Sequence, residues 1–250
     1  IVQHARMVYG CRNCEKNSIE VPIKTAQAPR PVIEKGLASP SAVAYVMTMK
    51  FVDGVPLYRQ EQHFARLGID LSRGVLSNWM LKGSEWLALI YDRAKQKLLE
   101  QGILHADETT LQVLKEPGRA AESQSYMWLY RTGGQGPPIV LYEYQQTRSG
   151  EHPRNFLKGF KGYLHVDGYA GYHAIPDVIL CGCWAHLRRK FSEALKGLPP
   201  KKRTSGSRAQ EALDRINRLF AIERELKRCT PEERLEIRNQ RSRPLVEEFH

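Results

Sequence analysis

Nowhere in the 250 residues is there a run of about 18 apolar side chains, which excludes a membrane-spanning helix. The opening Ile1-Val2-Gln3-His4 has neither an initiator Met nor the basic-then-apolar pattern of a secretory signal, so the chain reads as one cut from something longer. Cysteine is scarce. Five Cys without a signal argue against a disulfide framework and for reduced thiols or metal ligands. Acids are in the minority, 27 against 38 Lys and Arg, and the net charge is +11. The excess of base is spread along the whole chain, which fits a polyanionic partner, nucleic acid being the commonest; solubility alone is the other reading. What the chain does have, 42% hydrophobic and 26% charged residues, excludes disorder throughout and allows one large domain or two modest ones.

In the first region, residues 1–38, Arg6-Met7-Val8-Tyr9-Gly10 reads as a strand entering the knuckle Cys11-Arg12-Asn13-Cys14. Zn2+ wants four tetrahedral ligands, and C-x2-C supplies two. No second pair follows, and His4 alone does not complete a set, so half a zinc site is expected, its other ligands lying upstream. Residues 21–40, with Pro22, Pro29, Pro31 and Pro40, read as an extended linker.

Residues 39–101 read as helical. Ser39, Pro40 and Ser41 form a helix start, and Val43, Val46, Met47, Met49 and Phe51 give that helix an apolar face. Leu57–Leu67, a turn led by Gly68, and a second helix capped by Ser72 match the helix-turn-helix pattern. The second helix, to Met80, is expected to bury Val75, Leu76 and Trp79 and to present Arg73, Ser77 and Asn78, side chains that read base edges or grip phosphates. A plain helical bundle contains such pairs too. A separate amphipathic helix is expected over Ser84–Gln101, burying Trp86, Leu87, Leu89, Ile90, Leu98 and Leu99.

Residues 102–198 change period. Strands are expected over Ile103–Leu114, Ser125–Arg131 and Pro138–Tyr144, with Gly133-Gly134 as a turn, then a helix from His152, a strand Gly162–Tyr169, a strand Val178–Trp184 and a helix Ala185–Leu195. That order describes a mixed α/β sheet with helices packed on it. Asp107 and Asp167 are the acids that stand out on otherwise apolar strands. A carboxylate buried there without a partner costs several kcal/mol, so it is expected to coordinate something. If the first and fourth strands are neighbours, the two carboxylates converge as hard ligands for Mg2+ or Mn2+. Two such ions about 4 Å apart can activate a water or a 3′-hydroxyl and stabilise the leaving oxygen of a phosphodiester. The alternative is that Asp167-Gly168 is simply a turn and Asp107 a loop cap.

His105-Ala106-Asp107-Glu108-Thr109, His165-Val166-Asp167-Gly168-Tyr169 and Gly182-Cys183-Trp184-Ala185-His186-Leu187-Arg188-Arg189-Lys190-Phe191 resemble the insertion-sequence 66 family of bacterial DDE transposases. So do Tyr45 through Asp53, Leu57–Glu61 and Leu71-Ser72-Arg73, and the knuckle resembles the second half of that family's zinc-binding region. The resemblance covers essentially the whole chain. It implies an RNase H-like catalytic core with Asp107 and Asp167 as the first two catalytic acids. It also implies Mg2+ or Mn2+, double-stranded DNA at element ends and target, self-association, and a cytoplasmic, nucleoid-associated protein. His186 is implied as an active-site neighbour of a catalytic carboxylate or the scissile phosphate. Arg188, Arg189 and Lys190 on the same helix are expected to face the DNA backbone, or else solvent.

Two departures from the family stand out. Its third acid, a Glu, follows an Asn-Asn pair, and no such pair occurs here; the first half of the zinc region is missing as well. Cys181, Cys183 and His186 form a C-x-C-x2-H cluster without a fourth ligand, so the thiols are expected in the core. Residues 199–250 open with a basic loop, Pro199–Ser207, and continue as a helix Ala209–Arg228. A second helix is capped by Thr230-Pro231-Glu232-Glu233, and the two form an incomplete helical insertion or a dimerisation arm. Two functions remain open: a transposase core acting on phosphodiesters, and a non-catalytic DNA-binding fragment lacking the third acid.

Overall fold

A computed structural model of the chain describes residues 5–17, 20–34, 36, 38–133, 136–199 and 207–249. His4, Gly134, the basic stretch 200–206 and His250 lie outside them. The chain divides into two units, Ile1–Tyr91 and Asp92–His250.

In the first unit, β1 (Val8–Gly10) and β2 (Ile23–Thr25) pair antiparallel around α1 (Arg12–Asn17), with Tyr9 opposite Lys24. Part of the stretch expected as linker is therefore a strand. Helix α2 (Pro40–Phe51) starts as its sequence dictates: Pro40 sits in the first turn and the Ser39 hydroxyl accepts from the Ala42 N–H at 3.1 Å. Helix α3 (Leu57–Arg66) is tied to α2 by Gln60. That side chain is fully buried, and its Nε2 donates to the carbonyls of Val46 at 3.3 Å and Val55 at 3.0 Å. Gly68, in the left-handed region at φ +75°, makes the turn toward α4.

Helix α4 runs unbroken over Arg73–Leu99, where two helices were expected. Nothing between Met80 and Ser84 stops it. At Gly83 the helix passes close to α2: a Cβ there would lie 2.5 Å from the Met47 sulfur. Leu76, Trp79 and Met80 join Val43 and Val46 in the core at helical spacing, whereas Val75 and Phe51 are exposed. Trp86, Leu87, Leu89 and Ile90 are also exposed, contrary to expectation. The reason is length: α2 has 12 residues against 27 in α4 and leaves the later turns without a partner within this unit.

The second unit holds a five-stranded mixed sheet. Strands β3 (Ile103–Gln112), β4 (Gln124–Thr132) and β5 (Val140–Gln145) form an antiparallel meander, while β6 (Gly162–Val166) and β7 (Val178–Gly182) run parallel to β3 and to each other. The spatial order is β5-β4-β3-β6-β7. Alternation along the strands sends Leu104, Ala106, Trp128, Tyr130, Leu164 and Val166 into the core, together with Phe156, Leu157, Phe160 and Tyr172. Tyr130 stacks on Phe156 of α5 (Glu151–Phe156) at 3.7 Å between ring centroids, and Lys95 lies 4.0 Å from the same ring's centroid. Between β6 and β7 the chain makes only a short 3-10 turn, Ala170–Ala174, in place of the helix that an alternating strand-helix order suggests.

Helix α6 (Trp184–Gly197) follows β7. Beyond it, α7 (Arg208–Glu225) ends in a 3-10 turn at Leu226–Arg228, slightly earlier than expected. Helix α8 (Pro231–Ile237) begins with the expected capping box, Thr230 and Glu233 exchanging hydrogen bonds. It continues through a π turn, Arg238–Ser242, into α9 (Arg243–Glu247). Leu219, Ile222, Leu226 and Leu245 close this hairpin onto Trp184 at the start of α6. No described helix is long and apolar enough to cross a membrane.

Candidate active site

The register of β3 on β6 positions the two acids. His105 lies opposite His165 in this parallel pair, with the imidazoles stacked at 4.8 Å. Two residues further along each chain come Asp107, still on β3, and Asp167, just past the end of β6. The Asp107 side chain is half exposed; its Oδ1 accepts from the Glu108 N–H at 3.0 Å and its Oδ2 lies 3.6 Å from Nε2 of His186 in the first turn of α6. Asp167 Oδ1 accepts from the Tyr169 N–H at 2.8 Å, so the Asp-Gly pair does form a turn, and Oδ2 lies 3.9 Å from the Arg148 guanidinium. Each carboxylate thus ties one oxygen to the main chain and turns the other toward a side chain able to carry positive charge. Nδ1 of His186 is buried and finds no hydrogen-bond partner among the described residues.

A second acid on β3 is the part that sequence reasoning missed. Glu108 follows Asp107, so strand alternation points it to the opposite face, where Leu104 and Ala106 are buried, and its side chain is 1% exposed. One oxygen accepts from the Tyr172 hydroxyl at 2.5 Å; the other accepts from Arg148, from Nε at 2.8 Å and again from Nη2. Burial, and then the Glu108 hydrogen bond, push the Tyr172 hydroxyl pKa far above its ordinary value, so it stays a donor. Burial works against charge on Arg148, but the Glu108 hydrogen bond and the nearby charges of Glu108 and Asp167 outweigh it and raise the guanidinium pKa.

The Arg148 guanidinium also lies over the Tyr169 ring, 4.1 Å from its centroid, and the Tyr169 hydroxyl donates to the Arg148 carbonyl. Two glycines let this loop close on the 3-10 turn. A Cβ at Gly150 would lie 2.7 Å from the Gly171 carbonyl, and one at Gly171 would lie 2.2 Å from the Tyr169 ring. The signal available in the sequence was parity: an acid directly after Asp107 on a strand with a buried face needs a partner there. Nothing in the sequence marks Arg148 as that partner.

The other candidate residues are dispersed. Arg73, Ser77 and Asn78 are exposed on the first turns of α4, and Arg73 pairs with Glu61 of α3 at 2.9 Å. Arg188 is engaged by Asn217 of α7 at 2.7 Å, while Arg189 and Lys190 are exposed. Cys181 and Cys183 are half-buried at the end of β7 and carry free thiols. Cys11 and Cys14 flank the start of α1, and the Cys14 N–H and then its side chain hold the Cys11 thiol below its ordinary pKa. Among the described residues no three His, Cys, Asp or Glu side chains are grouped to hold a metal ion.

Fold and site together define a mixed α/β protein with Asp107 on the central strand β3 and Asp167 directly after the neighbouring parallel strand β6. The chain belongs to the Transposase IS66 family, whose model matches residues 35–250. Among curated proteins of Sinorhizobium fredii, the uncharacterized protein y4qI is 32% identical over 88% of this chain and 42% of its own length. The uncharacterized protein y4jD is 32% identical over 96% of this chain and 48% of its own. The chain thus spans just under half the length of the relatives it matches. Of solved structures, the Mos1 transposase paired-end complex with left transposon end aligns over 84% of each chain at 10% identity with a TM-score of 0.23, a superposition too loose to bear on the fold.

Proposed function

We propose that this chain carries the centre of a DNA transposase, an RNase H-like unit that cleaves phosphodiesters at the ends of an insertion sequence and joins them to target DNA. The observation that carries this reading is that Asp107 and Asp167 each follow, by two residues, the paired His105 and His165 of the neighbouring parallel strands β3 and β6. The sheet order, with an antiparallel meander continued by two parallel strands, supports the RNase H-like assignment.

The two carboxylates fit Mg2+ or Mn2+. Such ions take one or two carboxylates and complete their shell with water and substrate phosphate, and each acid here keeps one oxygen off the main chain. A divalent ion held there supplies Lewis acidity and lowers the pKa of an attacking water or 3′-hydroxyl. His186 orients Asp107 by facing its Oδ2. Arg73, Ser77 and Asn78 on α4 are the DNA-contacting side chains of a helix-turn-helix formed by α3 and α4. Arg188, Arg189 and Lys190 make phosphate contacts, Arg188 through its terminal nitrogens because Asn217 engages its Nε. Cys11 and Cys14 are half of a Zn2+ site. Double-stranded DNA is the partner, and self-association brings two ends together, in the cytoplasm and on the nucleoid.

A second reading, DNA occupancy without cleavage, is favoured by one observation: among the described residues no third acid is grouped with the pair. The deciding experiment incubates the protein with end-containing DNA and Mg2+ or Mn2+, alongside Asp107→Asn and Asp167→Asn. Nicking by the wild type, reduced to background in both variants, is the expected result. Equal nicking by all three removes the catalytic reading, and binding without nicking by the wild type selects the second.

A further inference from the structure

Desolvation offsets much of the attraction in a buried ion pair, so the clearest effect of such a pair is to hold its members in one geometry. Glu108 belongs to such a pair. It is 1% exposed, receives Arg148 through Nε and Nη2, and is fixed from behind by the Tyr172 hydroxyl. Tyr169 packs under the guanidinium plane and holds the Arg148 carbonyl, and the same Tyr169 supplies the N–H that fixes Asp167. Arg148 is therefore held on three sides, while its side chain remains 42% exposed. Its Nη1 donates to no described residue. Its Nη2 stops 3.9 Å from Asp167 Oδ2, a separation too long for a direct hydrogen bond. The result is a held, partly exposed guanidinium beside the second acid.

We propose that Arg148 is a phosphate-binding residue of this centre, gripping a non-bridging oxygen of the DNA backbone next to Asp167, with Glu108, Tyr169 and Tyr172 as its positioning residues. The proposal rests on the reading of Asp107 and Asp167 given above, but its test needs no cleavage. A planar guanidinium suits phosphate because it offers two parallel N–H donors. Holding it in advance removes the ordering cost at the moment of binding.

The competing reading is that Arg148 does nothing but neutralise Glu108, and salt dependence separates the two. Each phosphate contact contributes about 0.9 to the slope of log affinity against log salt. Binding of a short labelled duplex of mixed sequence is measured by fluorescence anisotropy across a NaCl series, without divalent ions. The proteins are the wild type, Glu108→Gln and the double variant Glu108→Gln with Arg148→Gln; the double variant leaves no unpaired buried charge, and its thermal melt checks that it folds.

Glu108→Gln keeps the cation but loosens it, so the expected result is an unchanged slope with affinity lowered roughly 2- to 10-fold. The double variant is expected to flatten the slope by about 0.9. Equal slopes in all three proteins overturn the proposal while leaving the two aspartates untouched. Conversely, undiminished nicking by Asp107→Asn and Asp167→Asn removes the catalytic reading whatever the slopes show.

Discussion

The Glu108–Arg148 pair is asymmetric in burial, and that makes an unusual stability pattern predictable. Arg148→Ala removes the guanidinium from a Glu108 carboxylate that is buried in the intact pair and leaves it with only the Tyr172 hydroxyl. Removing one partner of a buried pair in this way costs about 3–5 kcal/mol. Glu108→Gln leaves Arg148 behind instead, but that side chain is 42% exposed and water takes over much of the lost interaction. Gln also keeps the volume and an acceptor for Tyr172, so the cost falls to about 1 kcal/mol, the range of exposed ion pairs.

The double variant Glu108→Gln with Arg148→Ala removes the stranded charge, and it is expected to be more stable than Arg148→Ala alone by roughly 1–3 kcal/mol, the cost of a buried polar group left unpaired. Urea unfolding followed by tryptophan fluorescence is the assay. Trp128 is fully buried and meets Tyr172 edge-on at 5.9 Å, so its emission reports this corner of the sheet. Midpoints should fall in the order wild type, Glu108→Gln, double variant, Arg148→Ala. A double variant less stable than Arg148→Ala would falsify the claim that the cost lies in the stranded carboxylate.

Three further outcomes follow from other parts of the molecule. Gln60→Ala removes both hydrogen bonds from α3 to the carbonyls of Val46 and Val55, and it should cost about 2–4 kcal/mol in denaturant unfolding, where a cost under about 0.5 kcal/mol contradicts the role given to Gln60. Gly150→Ala pushes a Cβ onto the Gly171 carbonyl, a backbone atom that cannot swing aside, and should destabilise the second unit by about 1–3 kcal/mol; a neutral result means that the two turns are not in contact. Glu143 has its pKa raised by burial, only partly countered by Lys95, and its Oε2 is buried without a partner. Because its folded pKa lies above the unfolded one, its contribution is present at low pH and lost as pH rises through the folded pKa. Glu143→Gln should therefore raise the melting temperature at neutral pH, with the gain fading on acidification; a gain that persists at low pH contradicts the assignment.

Periodicity located the strands and the acids because a half-buried sheet writes its pattern every second residue. Asp107 and Asp167 could be singled out for that reason, and the strand order sets β3 beside β6. Local chemistry was just as legible at the helix starts, where Ser39-Pro40 and Thr230-Pro231 act within their own turn. What escaped was set at a distance. The exposure of Trp86 and Ile90 depends on where α2 stops. Glu108 was readable in part, by strand parity, but its partner comes from a loop 40 residues away. Arg148 carries no local mark among the other basic residues of the chain. The Arg188 contact likewise depends on α7 returning alongside α6, which no pattern within α6 announces.

The central claim is that Asp107 and Asp167 act together on a divalent ion. Titrating Mn2+ into the protein and counting free ion by electron paramagnetic resonance reads this without DNA or turnover. A bound Mn2+ that is lost in Asp107→Asn and equally in Asp167→Asn is the outcome expected of a shared site. Retention of the ion by either variant, in a protein that still folds, would mean that the two carboxylates do not work as a pair.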